Sequence, residues 1–498
     1  MRAGVQVAEQ YKEKILSGDL VQNQLVNEQT AADAVKLAES VAKSELETIR
    51  ILFADQHGIL RGKTVVASAF PSVLANGLGV PGTLLLKDTS HRTSFPVWTD
   101  TTSEHTGPLA GASDVLLVPE PATFRELPWT NKSAWIFCTP VLKSGATIDF
   151  APRTVLQKSV DALAKQNLQL IVGLEVEFHV FELLDAHREH ADTSMPGKAP
   201  LTRSLAQGYQ FLTETRYADL EPVMDDLRHH CEYLNLPIRS MEVEMGPSQF
   251  EFTFEPSDPI SHADNMMMFR TMVKEVCSRQ GLHASFMCRP KLENIASNGW
   301  HLHQSLINVA DGNNLMMPHA SGELSPSAGH WIAGLLAHAK ESCLLTTPTV
   351  NGYKRYQPYQ LAPDSIQWGR DNRGAMIRDL TRPGDTASRI ENRVAETAAN
   401  PYYFFASQIL SGLSGIEQKL APPAAIEKPY DNTCESLPCS LIEAIELFSS
   451  SSLYRNALGD GFVDYLVTLK NAEWKRYSMT VSDWEHCEYF SLLSLIHI

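Results

Sequence analysis

The sequence predicts an α+β protein built from two domains, a small one rich in strands and a large mixed one. The 498 residues are enough for two domains or more. Short apolar strands and a hairpin signal occupy residues 46–147, whereas strands alternate with long amphipathic helices over residues 148–498. A helical extension over residues 1–45 precedes both predicted domains.

Composition is typical of a soluble globular protein. Hydrophobic residues make up 43% and charged residues 20% of the chain, and no run approaches the roughly eighteen apolar residues of a membrane span. The formal net charge of -16 argues against a nucleic-acid partner and against attraction to anionic membranes. The first residues lack the apolar core of a signal peptide, so we expect a cytoplasmic protein. The eight cysteines lack zinc-ligand spacing and are expected to be reduced thiols.

Periodicity defines the elements of the first part of the chain. Ala and Leu recur at intervals of three and four residues, which predicts helices over 5–16 and 31–43. Two strand patterns flank the turn Gln56-His57-Gly58, and together they predict a hairpin. The strands of this part are predicted at residues 49–55, 59–66, 114–119 and 134–138.

The second part begins with a helix over 153–166, because Pro152 suits the first helical position. A strand over 173–182 follows, and a polar loop separates it from two more helices. The amphipathic pattern predicts these helices over 218–234 and 261–280.

The strand over 173–182 carries two carboxylates, Glu175 and Glu177, on one face. They alternate with the apolar Leu174, Val176 and Phe178, so a period of two sends acids and apolar side chains to opposite faces. Two like charges about 6 to 7 Å apart in a partly dry interior must be neutralised by protons, cationic side chains or a metal. An exposed edge strand with solvated glutamates is the alternative.

A second acidic stretch, residues 242–254, holds Glu242, Glu244 and Glu251 around a Gly-Pro-Ser break. The seven-residue interval would place Glu244 and Glu251 on opposite faces of a regular strand. The break is therefore needed if they are to converge. A hairpin with outward acids is the alternative.

Two further stretches add cationic and imidazole groups. His301 and His303 alternate in a predicted strand, which is a known ligand geometry. Arginines are dense after residue 354, which indicates ligands with planar anionic oxygens such as carboxylate and phosphate. These carboxylates and imidazoles suit Mg²⁺ or Mn²⁺, and the chain has no P-loop motif. The arginines of this region include Arg355, Arg370, Arg373, Arg378, Arg389 and Arg393.

The order of these motifs resembles the glutamine synthetase family from about Thr48 to about Gly415. The matching patterns are ExEF, ExGPxQxE, HxH, NxYKR, RIExR and a downstream NPY. The resemblance implies an N-terminal β-grasp domain over 46–147 and a catalytic α+β domain over 148–498 with a curved antiparallel sheet. It also implies a homo-oligomer of hexameric rings, doubled to a dodecamer, with each site completed by its neighbour.

The resemblance assigns roles to matching residues. Glu177, Glu244 and Glu251 would hold one metal ion. Glu175, His301 and Glu391 would hold a second, so that two to three Mg²⁺ or Mn²⁺ accompany ATP. The nucleotide would contact Arg373, His303 and Ser305. Glutamate would bind Arg355 through its α-carboxylate, and Arg378 and Arg393 through its γ-carboxylate. The residues implied to act in catalysis are Arg378, Arg393, Glu391 and Asp88.

The implied reaction joins L-glutamate to an amine. ATP converts the γ-carboxylate, a poor acyl donor, to γ-glutamyl phosphate, and the amine then displaces phosphate. A catalytically silent relative is disfavoured because all six metal-ligand positions and the arginines are present.

Two departures from the family pattern remove acids from the amine site. The Asp-Gly-Ser-Ser segment is missing, leaving Asp88 as the one candidate, and the flap glutamate position holds Leu361. A pocket without carboxylates binds cationic amines poorly, so we predict an aromatic amine such as aniline. The chain thus resembles γ-glutamylanilide synthases most closely. Ammonia, alkylamines and polyamines remain alternatives.

The loop that contacts the glutamate amino group in the family is also altered. It reads Ala-Ser-Asn-Gly-Trp-His-Leu-His over residues 296–303. Asn298, Gly299 and Trp300 are predicted to bind substrate, although Trp300 could equally pack in the core. An acid other than glutamate therefore stays an alternative.

Overall fold

A computed structural model describes residues 2–99, 106–185, 188–357, 361–431 and 434–493. This part of the chain forms fourteen α-helices and fifteen strands, with short 3-10 helices between some of them. The α-helices are α1 Arg2–Leu16, α2 Asp19–Gln22, α3 Glu28–Lys43, α4 Phe70–Asn76, α5 Pro152–Ala164, α6 Glu214–Tyr233, α7 Pro259–Arg279, α8 Pro326–Ala337, α9 Ala339–Thr346, α10 Pro401–Gln418, α11 Leu441–Ser449, α12 Ser452–Leu458, α13 Asp460–Ser478 and α14 Asp483–Tyr489. The strands are β1 Thr48–Ala54, β2 Leu60–Val66, β3 Leu78–Pro81, β4 Asp114–Pro119, β5 Arg125–Glu126, β6 Ser133–Leu142, β7 Leu168–Leu183, β8 Thr202–Ser204, β9 Ile238–Val243, β10 Gln249–Phe254, β11 Leu282–Ser285, β12 Gly299–Asn308, β13 Trp368–Arg370, β14 Ile377–Leu380 and β15 Arg389–Glu396.

The first sheet has six strands in the order β2-β1-β6-β4-β3, with β5 added beside β6. β1 and β2 form the predicted antiparallel hairpin, and β1 runs parallel to β6. The predicted N-terminal helices correspond to α1 and α3. The buried side of α3 consists of Ala31, Ala34, Ala38 and Val41, which confirms the three-and-four spacing in the sequence.

The second sheet has nine strands in the order β13-β14-β15-β12-β7-β10-β9, with β8 and β11 also paired to β7. Every pairing in it is antiparallel except that of β13 with β14. β7 begins at Leu168 rather than at the predicted residue 173, because β12 pairs with it as far as Leu168 and Asn308. The two sheets confirm the α+β class.

One face of the large sheet packs against helices. The ring of Phe178 on β7 lies within 6 Å of the rings of Phe250, Phe252, Phe269 and Phe286, so β7, β10 and α7 share one core. The opposite face of β7 carries the acids. The predicted domain limits at residues 45 and 147 fall between α3 and β1 and between β6 and α5.

Within the described ranges, no helix is long and apolar enough to cross a membrane.

Candidate active site

Five neighbouring strands of the large sheet place acids and imidazoles side by side. On β7, Leu174, Val176 and Phe178 are buried while Glu175 and Glu177 are partly exposed, which confirms the predicted alternation. Glu177 pairs across the sheet with Glu251 on β10. The sheet therefore builds a row of acids from residues far apart in sequence.

The histidine strand lies on the other side of β7. His301 on β12 is the cross-strand partner of Glu175, and His303 is the partner of Glu391 on β15. Glu391 is fully buried and His301 is 4% exposed. The acids predicted to bind metal ions and both imidazoles thus lie on one face of the large sheet.

The described residues include two groups of possible metal ligands. Within each group, the ligand atoms all lie within 4.8 Å of one another. The first joins Glu175, His301 and Glu391, the set that the resemblance assigns to one metal ion. In it, His301 Nδ1 is 2.7 Å from Glu175 Oε1 and 3.6 Å from Glu391 Oε1. The second joins Glu177, Glu251 and His301.

The resemblance assigns Glu244 to one metal ion together with Glu177 and Glu251. Among the described residues, Glu244 belongs to neither of the two groups of possible metal ligands. Strand β9 ends before Glu244, and a turn leads into β10. In this turn, Ser248 has a φ of 58°. Glu244 accepts a hydrogen bond from Met245 N at 3.1 Å. Its carboxylate is nevertheless close enough to Glu177 for repulsion to add to burial in raising its pKa.

We define the catalytic acid cluster as Glu175, Glu177, Glu244, Glu251 and Glu391. Burial and repulsion from neighbouring carboxylates raise the pKa of Glu244 to about 8 and raise that of Glu251 as well. Burial opposes ionisation of Glu175, but His301 and His303 outweigh it and lower its pKa. Buried oxygen donors that repel one another fit divalent cations, which would relieve that repulsion.

Two arginines neutralise part of this cluster. Arg378 Nη1 donates to Glu391 Oε2 at 3.1 Å, and Arg393 donates to Glu391 Oε1. Arg378 also pairs with Asp371, a partner that the sequence analysis missed. These contacts place both predicted γ-carboxylate ligands at the edge of the cluster.

The other predicted anion ligands lie at different depths. Arg355 is 3% exposed and donates to the carbonyl oxygens of Arg393 and Val394, both at 3.0 Å. A Cβ at Gly299 would lie 2.4 Å from Arg355 Nη2, so a side chain there would displace the guanidinium. Arg373 is exposed in the turn before β14.

Two of the three predicted nucleotide contacts, His303 and Ser305, are already hydrogen-bonded within the protein. His303 Nε2 lies 3.1 Å from Glu175 Oε2, and Arg389 Nε donates to His303 Nδ1 at 3.1 Å. Ser305 donates to the carbonyl oxygen of Ser388 at 3.0 Å. His303 therefore connects the acids of β7 to an arginine of β15.

The structure shows what two side chains of the altered loop contact. The side chain of Trp300 is fully buried and packs edge-on against the rings of Phe404 and Phe405. It lies on the opposite face of β12 from His301, because side chains alternate along a strand. The Asn298 amide donates to Met287 O at 2.8 Å and is within 2.9 Å of His179 Nδ1, so this side chain holds the loop in place.

Gln249 is a residue of the site that the sequence analysis overlooked. Its buried amide donates to Glu177 Oε2 at 3.2 Å and to Asn298 Oδ1 at 2.9 Å. Gly299 N donates to the same Glu177 oxygen at 2.8 Å. The clue in the sequence was that Gln249 shares strand parity with Glu251.

The two amine-site candidates lie in different surroundings. Asp88 is 2% exposed, accepts from Ser90 N at 2.9 Å and Arg92 N at 2.8 Å, and lies 3.1 Å from Arg476 Nε. Its carboxylate closes a turn and forms an ion pair within the chain, and its catalytic role stays a prediction. Leu361 is 50% exposed and follows residues 358–360, which lie outside the described ranges.

With this geometry established, comparison with known proteins identifies the class. The family model for the glutamine synthetase catalytic domain matches residues 149–489. The chain therefore belongs to the glutamine synthetase family. It is an ATP-dependent carboxylate-amine ligase, and the family uses ATP and divalent metal ions with glutamate and ammonia or an amine.

Two proteins of similar sequence and one solved structure show which members of the family this chain resembles. A γ-glutamylanilide synthase from Acinetobacter sp. is 35% identical over 95% of this chain and 99% of its own length. A glutamine synthetase from Methanosarcina mazei is 31% identical over 91% of this chain and 97% of its own. The solved structure of apo GmaS without ligand is 27% identical with a TM-score of 0.76, covering 91% of this chain and 99% of that one. The chain thus resembles the γ-glutamylamide ligases within its family.

Proposed function

We propose that this enzyme joins the γ-carboxylate of L-glutamate to an aromatic amine such as aniline. The products would be a γ-glutamylamide, ADP and phosphate, formed through γ-glutamyl phosphate. The observation that carries the proposal is the lack of a free acid at both amine-site positions. Leu361 is apolar, and the Asp88 carboxylate is bound to Arg476 and to two backbone amides.

The physical argument concerns the charge of the amine. An ammonium or alkylammonium ion loses its hydration on binding, and carboxylates must replace it. An arylamine is largely neutral near pH 7 and needs apolar walls instead. The similarity to a γ-glutamylanilide synthase supports the same choice.

The chain's own residues would position the two substrates. We propose that Arg355 binds the α-carboxylate of glutamate and that Arg378 and Arg393 bind its γ-carboxylate as charge develops there. Arg373, with His303 and Ser305, would contact ATP. Two to three Mg²⁺ or Mn²⁺ ions, held by the catalytic acid cluster and His301, would supply neutralisation of phosphate charge.

The proposal includes an assembly and a location. We propose hexameric rings doubled to a dodecamer, by similarity to the family, and activity in the cytoplasm, where ATP and glutamate are available. Light scattering of the purified protein checks the assembly.

The first test measures phosphate release from ATP with L-glutamate and Mg²⁺ across ammonium, ethylamine, putrescine and aniline at one pH. We expect the fastest turnover with aniline. Preference for ammonium or putrescine would mean that another acid rebuilds a cation site, and the enzyme would then be a glutamine synthetase or an alkylamine or polyamine ligase.

Leu361→Glu tests the apolar wall directly. A new carboxylate should shift preference from aniline toward ammonium by about tenfold or more, because it stabilises a cation. Leu201→Glu makes the same change at an exposed site and should leave the preference unaltered. An unchanged ratio in Leu361→Glu would remove Leu361 from the amine pocket.

A further inference from the structure

A cavity of about 540 Å³ lies between the β1-β2 hairpin and the large sheet. The hairpin turn contributes His57 and Gly58, α7 contributes Arg270 and Lys274, and α13 contributes Lys470. None of the described residues predicted for metal, ATP or glutamate lines it. The cavity is therefore separate from the catalytic acid cluster.

Much of the cavity wall is apolar. Phe286, Leu344, Leu345 and Leu466 are at most 5% exposed, and Tyr403 adds an aromatic ring. The volume lies within the usual range for small-molecule sites, which are mostly apolar with a few polar groups. An apolar molecular body thus has room here.

Two cations of α7 face the cavity without a carboxylate. Arg270 and Lys274 are four residues apart and share one helix face. Arg270 is 5% exposed and donates to the carbonyl oxygens of Thr397 and Ala399 at 3.1 and 3.0 Å. Lys274 Nζ lies 5.9 Å from the centroid of the Phe286 ring. Among described residues, no acid lies within ion-pair distance of either cation.

The acid that lines the cavity, Glu396, accepts hydrogen bonds from Thr349 instead of pairing with these cations. Glu396 accepts from Thr349 N and Thr349 Oγ1, both at 2.8 Å. Lys470 pairs with Glu473 at 2.9 Å. The α7 end of the cavity consequently carries two positive charges, Arg270 buried in the wall and Lys274 exposed at the rim.

We propose that this cavity binds a small organic carboxylate, with its apolar body against Phe286 and the leucines and its carboxylate between Arg270 and Lys274. Charge-assisted hydrogen bonds from two cations would hold the anion. The ligand would supply the counter-charge that the protein lacks at this end. This binding site is distinct from the ligase reaction and does not depend on the identity of the amine.

The test uses calorimetric titration of the full-length enzyme with benzoate, phenylacetate and hexanoate, and with benzyl alcohol as an uncharged match. Titrations run in saturating L-glutamate, so that competition at the catalytic carboxylate sites is minimised. Lys274→Met removes one cation at the cavity rim. Arg279→Met removes an exposed cation near the end of the same helix and is the matched control.

At least one carboxylate should bind the wild type, and benzyl alcohol should not. Lys274→Met should weaken that binding by about tenfold or more, Lys274→Arg should largely restore it, and Arg279→Met should leave it unchanged. Arg270 is not the test residue, because its bonds to backbone carbonyls also support the fold. Absence of binding by all three carboxylates, or equal binding to the wild type and Lys274→Met, would overturn the proposal.

Discussion

Two buried clusters of acids in this protein differ in how their carboxylates are neutralised. The first, which we call the junction network, consists of Glu120, Arg153, Asp264 and Tyr402. Arg153 lies 3.1 Å from Glu120 and 3.2 Å from Asp264, and the Tyr402 hydroxyl donates to Asp264 at 2.6 Å. It connects the small sheet to α5, α7 and α10, and each acid has a partner inside the chain.

The catalytic acid cluster has too few such partners. Glu251 lies opposite Glu177 and beside Glu242 in the sheet, and neighbouring carboxylates add to burial in raising its pKa. A balanced network stabilises a junction, whereas an unbalanced cluster is suited to binding cations from solution. The difference indicates which buried charges serve the fold and which serve the chemistry.

The largest expected effect is loss of activity in Glu391→Ala. Glu391 joins a metal-ligand group to Arg378 and Arg393, so phosphate release should fall by about a thousandfold or more. Glu242→Ala removes an acid of the same row that lies outside both metal-ligand groups and should retain most activity. Retained turnover in Glu391→Ala would refute the metal assignment.

In the junction network, Asp264→Ala should reduce the free energy of unfolding by about 3 to 5 kcal/mol, because it leaves buried Arg153 and Tyr402 short of a partner. Asp264→Asn keeps the volume and an acceptor for Tyr402, and should cost less. Urea denaturation measures both. A loss below about 1 kcal/mol in Asp264→Ala would mean that the network contributes no more to stability than an exposed salt bridge does.

Glu396 offers a third arrangement, in which a buried acid stays protonated. Burial raises its pKa from 4.5 to about 7, so the folded state binds a proton that the unfolded state has released. Its contribution to stability is present below pH 4.5 and is lost as pH rises to about 7, by about 3 kcal/mol in all. Glu396→Gln should lack this loss when unfolding is measured across that range. Parallel pH profiles for variant and wild type would contradict the assignment.

The smallest expected effect is on stability in Glu251→Gln. Removing one of several facing like charges should leave the metal-free protein as stable as before or stabilise it by up to about 1 kcal/mol at pH 9. Thermal unfolding in EDTA measures this. A clear destabilisation would show that the acids support the fold as the junction network does.

Much of the site was predictable from local patterns. The alternation in β7 and β12 identified Glu175, Glu177, His301 and His303, because strand parity is a local property. The Gly-Pro-Ser break, which was expected to interrupt the acidic stretch, lies between β9 and β10. Gln249 was harder to find, because its importance lies in contacts with Glu177 and Asn298 from other strands.

By itself, the sequence determined the α+β class, the hairpin, the alternation in the acidic strand and the family. The first three depend on local periodicity and residue type, and the family depends on the order of several short motifs along the chain. Only the tertiary structure decided that Trp300 packs beneath the site, that Asp88 is paired with Arg476 and that His301 belongs to both groups of ligand atoms. These outcomes depend on which distant side chain occupies the neighbouring space, and local spacing carries no information about that neighbour.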